Sequence, residues 1–254
     1  MKFRFYLATT IAFLVTPAIA ETATLKMRVV YGGAAPAKTL VNPTKDPQFC
    51  GVHEIVNDRL LVNSKNSGIK NAIVYVYTGS RGGTKLKDIP ASTGKTLALD
   101  NKGCMFAPHV VVLQTNDTLR VTNSDAIGHN ANLLFIKNKG ANPTIPPGGK
   151  YEQKLELDEP APIPVECNIH PWMKAYVVVL EHPFVGVSDE DGNLVIEGLP
   201  TDKITFRFFH ESVTGLEDIT VDGKKETWKS NRFEIKMKSG DNDLGEVVIP
   251  PNKF

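Results

Sequence analysis

No stretch of this 254-residue chain sustains a helical apolar period with caps at both ends, which argues against a helical bundle or an alternating α/β fold. Neither sign of charge dominates: 29 basic residues face 28 acidic ones, a balance that speaks against nucleic acid or an anionic membrane as the main partner. Only Leu7 to Ala20 forms a sizeable apolar run. It is interrupted by Thr9, Thr10, Thr16 and Pro17 and falls short of the roughly 20 apolar residues of a membrane span. Internal repeats and low-complexity tracts are missing, and the 20 glycines and 17 prolines are spread through turns. A nucleophile elbow, a Gly-rich phosphate loop and an H-E-x-x-H helix are also missing, so the commonest hydrolase and nucleotide chemistries find no support.

What the first 20 residues do contain is the grammar of export. Lys2 and Arg4 give a basic start, the apolar run follows, and Ala18-Ile19-Ala20 reads as a cleavage site before Glu21. The expectation is a signal peptide at 1–20 and a mature protein exported across the inner membrane, most simply to the periplasm. Loss of Lys2 and Arg4 leaves 27 basic against 28 acidic residues, still nearly neutral.

Short β-rich runs divided by Gly, Pro, Asn and Asp clusters fill the rest. Leu25–Tyr31, Ile69–Tyr77, Val110–Leu113, Thr118–Thr122, Tyr151–Leu157, Ile163–Cys167 and Ala175–Glu181 all read as strands, and their spacing predicts an all-β sandwich.

One loop concentrates chemistry. Cys167-Asn168-Ile169-His170-Pro171-Trp172-Met173 sets a thiolate, an imidazole and a thioether at three-residue intervals. A soft thiolate, nitrogen donors and a weak axial sulfur form the ligand set of a blue-copper centre, which needs one more His. His129 supplies a candidate: it ends the segment Val121-Thr-Asn-Ser-Asp-Ala-Ile-Gly-His129-Asn130, where a strand meets a loop. Read singly, Cys167 fits a disulfide, His129 a water-satisfied loop histidine and Met173 a core gap-filler.

The C-x2-H-x2-M loop, the N-x-D-x3-H-N segment and the 38-position separation of His129 from Cys167 together resemble the type 1 copper proteins, the cupredoxins. With Pro after the His, the loop is most similar to that of amicyanin. The resemblance covers roughly residues 100 to 181. It implies a Greek-key β-sandwich holding one copper per chain, with His129, Cys167 and His170 equatorial and Met173 axial. It also implies that Asn130 hydrogen-bonds across to the Cys loop, that Pro171 limits the loop's relaxation, and that Trp172 serves either an apolar docking patch or the core.

If Cys167 is the copper thiolate, Cys50 and Cys104 are free to form a disulfide in an oxidising compartment. Cys50-Gly-Val-His53 and Cys104-Met-Phe-Ala-Pro-His109 leave a Cys2His2 zinc site open as a rival, and two free thiols as another.

Outside the copper core, residues 21–99 hold two or three strands and the loops 32–52 and 79–96, expected as an N-terminal β elaboration packed on the core at 100–181, with a small separate subdomain as the alternative. From His182 the pattern is strand, Asp-Gly turn, strand, Leu-Pro turn, strand. It resembles the carboxypeptidase-regulatory or transthyretin-like β-sandwich, a non-catalytic module, and predicts a second small sandwich over 182–254. His210-Glu211 reads there as a surface pair.

The functional expectation is a one-electron carrier serving a redox partner protein, and not an enzyme. Multicopper oxidases and copper nitrite reductases place His beside the Cys, whereas Cys167 is flanked by Glu166 and Asn168; a binuclear electron-entry site needs a second Cys in the loop. Copper delivery without redox cycling, or a metal-free adhesion module, are the competing classes.

Overall fold

The structure, a computed structural model, describes residues 21–254, so the leader expected at 1–20 lies outside the described residues. Strands dominate, and apart from two 3-10 turns the described residues hold one four-residue helix, Pro47–Cys50. No helix among them is long and apolar enough to cross a membrane.

The strands build two sandwiches. One pairs a sheet ordered Lys150–Lys154, Thr118–Asn123, Thr96–Lys102 and Met105–Ala107 with a sheet ordered Val110–Gln114, Lys174–Leu180, Ile163–Glu166 and Asn132–Leu133. Leu99, Phe106, Leu119 and Val121 from the first sheet meet Val111, Leu113, Val165, Ala175, Val177 and Val179 from the second in a single core. Alternate residues point inward because strand side chains repeat every two positions; Thr118–Asn123 alternates half-buried and buried throughout. The all-β expectation holds, and the predicted runs at 110–113, 118–122, 163–167 and 175–181 fall on strands.

The second sandwich departs from expectation. Its five-stranded sheet runs Asn193–Pro200, Thr22–Tyr31, Gly240–Ile249, Leu216–Val221 and Lys224–Trp228; its four-stranded sheet runs Val185–Val187, Ile73–Val76, Lys203–Phe209 and Arg232–Lys236. Thr22–Tyr31 and Ile73–Val76 are thus central strands of the sandwich expected from 182–254 alone, and not an elaboration of the copper core. Packing supplies the reason. Leu25, Met27, Val29, Val74 and Val76 face the same core as Ile196, Phe206, Phe208, Ile219 and Val247, and a unit of 73 residues without them would bury too little. The expected boundary at residue 100 also cuts through Thr96–Lys102, which pairs in parallel with Thr118–Asn123. The first sandwich begins at Thr96, inserted into a second sandwich made from both ends of the described chain.

The two bodies meet along strands buried on both faces. In Ile73–Val76, Val74 and Val76 enter one core while Ile73 and Tyr75 turn toward Val178 and Leu180; in Lys174–Leu180, Val177 and Val179 enter the other core. Such unbroken apolar runs mark strands with no solvent face.

Candidate metal centre

Asn123 ends a core strand and shapes the loop after it. Its side-chain amide donates to the carbonyls of Ile127 and Ile145, each at 2.8 Å, and its oxygen accepts the Asp125 N–H at 3.0 Å. The turn delivers His129 into a short ladder against Ile145, fully buried. Asp125 turns back under it: its carboxylate accepts the N–H groups of Gly103 at 2.6 Å and Cys104 at 2.9 Å, and Oδ2 lies 2.9 Å from His129 Nε2. The other ring nitrogen, Nδ1, is buried without a hydrogen-bond partner. Burial, then the neighbouring His170 ring, lower the pKa of His129 against the opposing pull of Asp125, which favours the neutral imidazole.

The Cys167–Met173 loop joins strands Ile163–Glu166 and Lys174–Leu180 and closes on itself. Cys167 N–H donates to the Met173 carbonyl at 3.2 Å, Met173 N–H to the His170 carbonyl at 2.9 Å, and His170 N–H to Cys167 Sγ at 3.4 Å. Sγ stands 3.8 Å from His170 Nδ1. The donor atoms of His129, Cys167 and His170 all lie within 4.8 Å of one another, and all three residues are buried. Met173 is buried in the same core as Cys167.

Asn130 ties the two loops together. Its Oδ1 accepts the N–H groups of Asn168 at 2.8 Å and Ile169 at 3.2 Å and lies 3.4 Å from Cys167 Sγ, while its Nδ2 donates to Asn168 Oδ1 at 2.9 Å. Pro171 sits on the exposed side of the loop. Trp172 turns inward: its indole N–H donates to the Cys104 carbonyl at 3.0 Å and its ring lies 5.3 Å from that of His170. It is partly buried against the core of the first sandwich and the cluster around the cysteines.

Cys50 and Cys104 form a disulfide. The rival zinc quartet is not assembled, since His53 is exposed against Phe49 and His109 is held between Asp58 at 2.9 Å and Glu211 at 2.7 Å. Glu211, read from sequence as half of a surface pair with His210, is therefore a partner of His109, and His210 itself is buried.

Two residues went unread in the sequence. Asp125 is visible four positions before His129, but only the loop geometry shows its carboxylate on the ring. Asp46 Oδ2 lies 2.8 Å from His170 Nε2 across 124 positions, a separation no local pattern reveals.

The donor set fits a metal. Each imidazole has Nε2 within 2.9 Å of a carboxylate oxygen; His170 Nδ1 stands 3.8 Å from the buried thiol sulfur, and His129 Nδ1 is buried without a partner. That is the carboxylate–histidine–metal arrangement, and the orphaned Nδ1 of His129 is the atom a metal would satisfy. Two imidazole nitrogens and one soft sulfur suit copper.

No family model matches the chain, and no curated protein matches it. Among solved structures, a reduced mutant of amicyanin is 20% identical, covers 35% of this chain and 85% of its own length, and gives a TM-score of 0.30. A copper-containing nitrite reductase from Thermus scotoductus is 19% identical over 40% of this chain and 25% of its own, also at 0.30. A purple cupredoxin from Nitrosopumilus maritimus is 20% identical over 34% of this chain and 98% of its own, at 0.28. These likenesses are loose and partial; the donor geometry carries the functional reading.

Proposed function

We propose that the chain is an exported mononuclear copper protein that carries single electrons, with His129, Cys167, His170 and Met173 as the residues that would hold the copper. The observation that carries this reading is the clustering of the buried donor atoms of His129, Cys167 and His170 within 4.8 Å of one another, with His129 Nδ1 left without a partner. Bound copper would supply a one-electron couple there.

The chain's own residues do the rest. Asp125 and Asp46 fix which ring nitrogen carries the proton, and Asn130 holds the loop that bears Cys167 and His170 against the loop that bears His129. Burial of all three donors excludes water. A site held this tightly would let a bound copper change oxidation state with little rearrangement, which is what rapid electron transfer requires. The Cys50–Cys104 bridge agrees with an oxidising compartment. Cys167 has Glu166 and Asn168 as neighbours and so offers no His bridge to a second copper, in keeping with a carrier that hands electrons to a partner protein and not with an enzyme. The sandwich made from both ends of the described residues is read as a non-catalytic module of the carboxypeptidase-regulatory kind.

Cu(II) addition followed by visible spectroscopy and voltammetry tests the reading. The expected result is one copper per chain, an intense thiolate charge-transfer band and a reversible couple, with the band abolished in Cys167→Ser. Copper bound without either signature would make copper handling the better function, and no copper uptake would end the metal reading.

A further inference from the structure

Asp46 does not belong to either loop of the candidate metal centre. It lies on the 32–72 connection, whose flanking strands Thr22–Tyr31 and Ile73–Val76 serve the other sandwich. Its backbone is left-handed, at φ 44°, and its carbonyl accepts the N–H groups of Phe49 at 2.9 Å and Cys50 at 2.8 Å, opening the one-turn helix Pro47–Cys50. The side chain is about half exposed, at 48%, yet it reaches a ring that is fully buried. A half-exposed carboxylate contributes little unless its backbone is held in place.

The holding element is the disulfide. Cys50, four residues after Asp46, is bonded to Cys104, and Cys104 is fixed to the metal centre from two sides: its N–H donates to Asp125, which engages His129, and its carbonyl accepts Trp172 Nε1, whose ring lies against His170. Val41, Phe49 and Ile55 pack around the bridge. It is the only covalent tie of this connection to the copper-type sandwich among the described residues.

We infer that Asp46 is a positioning residue for His170, clamped by the Cys50–Cys104 disulfide: by accepting the Nε2 proton it keeps Nδ1 free for the metal, and it does so only while the bridge holds the strap down. The inference rests on the reading of His170 as a ligand. It makes the quality of the metal site depend on a disulfide that contributes no donor atom to it.

Two measurements test this, the first without metal. Ring nitrogen NMR of the apo protein should show His170 as a single Nε2-protonated tautomer in the wild type. Asp46→Leu should give a tautomer mixture, and Asp46→Asn, whose amide oxygen still accepts that proton, should restore it. Second, copper release to a chelator should accelerate roughly ten- to a hundredfold in Asp46→Leu, the usual cost of losing such a partner. The same acceleration should follow Cys50→Ser/Cys104→Ser, and adding Asp46→Leu to that background should change nothing further. Should the double serine variant not fold, a two-glycine insertion between Phe49 and Cys50 keeps the bridge, displaces Asp46, and is expected to release copper as fast as Asp46→Leu.

Unchanged His170 signals in Asp46→Leu would overturn the positioning role. Additive effects of Asp46→Leu and bridge removal, or an insertion without consequence, would overturn the clamp. If the apo signals behave as expected but no variant nor wild type takes up copper, the copper reading fails while the Asp46 contact stands.

Discussion

Asp125 Oδ2 lies 2.9 Å from His129 Nε2 and accepts the Cys104 N–H with the same oxygen at 2.9 Å. One carboxylate therefore orients a candidate metal ligand and anchors the disulfide-bearing turn, where Cys104 itself is held at φ 58°.

Asp125→Ala should damage both at once. The part-buried Gly103 and the buried Cys104 N–H groups would lose their acceptor, at about 1–3 kcal/mol for the buried orphan at Cys104, and His129 would lose the partner that fixes its tautomer. Urea unfolding of the apo protein should show the stability loss, and copper affinity should fall roughly ten- to a hundredfold. A variant with native stability and native copper retention would show that the carboxylate serves neither role.

The bridge itself is open to direct mapping. Non-reducing peptide analysis should recover Cys50 linked to Cys104, with Cys167 as the free thiol. Replacing both bridged cysteines by Ser should cost about 2–4 kcal/mol, chiefly by loosening the unfolded chain. Free thiols at positions 50 and 104 in the purified protein would contradict it.

Stability should peak slightly above pH 6 and fall on both sides, through different histidines. Burial lowers the pKa of His109, but the hydrogen bonds and charges of Asp58 and Glu211 outweigh it and raise the value to about 9. Its proton is held more tightly in the folded state than at the unfolded value of 6.5, so its contribution is full below about pH 6.5 and disappears as pH rises toward 9. Burial lowers His182 and His210 to about 4, so theirs is full above about pH 6.5 and is lost as pH falls toward 4. Lys174 and Tyr176 also face the His109 cluster, and both titrate above this window. The His109 limb is worth on the order of 3 kcal/mol. Melting temperatures measured from pH 4 to 9 should trace this dome, and His109→Gln should flatten its alkaline side. An alkaline limb unchanged in that variant would remove His109 as its source.

Much of the sandwich that begins at Thr96 was legible because its strand patterns are local: alternating or continuous apolar runs such as Thr118–Asn123 and Lys174–Leu180 state their burial residue by residue. The His129, Cys167 and His170 set was legible for a related reason, since two of the three share one seven-residue loop. What could not be read depends on long-range pairing. Thr22–Tyr31 alternates as any half-buried strand does, and nothing in it says that its neighbours are Asn193–Pro200 and Gly240–Ile249. Asp46 is an ordinary turn residue before a proline until the disulfide sets it against His170. Glu211 looked like surface because its partner, His109, belongs to the other sandwich.

Asn130 offers the sharpest separation of structure from redox tuning. Its Oδ1 takes the N–H groups of Asn168 and Ile169 and approaches Cys167 Sγ, so it fixes the start of the ligand loop, and its Nδ2 holds Asn142 Oδ1 at 2.5 Å and Asn168 Oδ1 at 2.9 Å. Asn130→Ala removes acceptor and donor together. The loop should loosen, at a cost of about 1–3 kcal/mol, with broadened thiolate spectra and faster copper release. Asn130→Asp keeps the acceptor for both N–H groups but sets a negative charge beside the thiolate, which favours the more positive Cu(II) over Cu(I) through simple electrostatics. That variant should retain copper and colour while its potential drops below that of the wild type. Voltammetry of the two variants side by side decides the matter: an unchanged potential in Asn130→Asp, with copper fully bound, would place Asn130 outside the field of the redox centre and leave it only a loop tie.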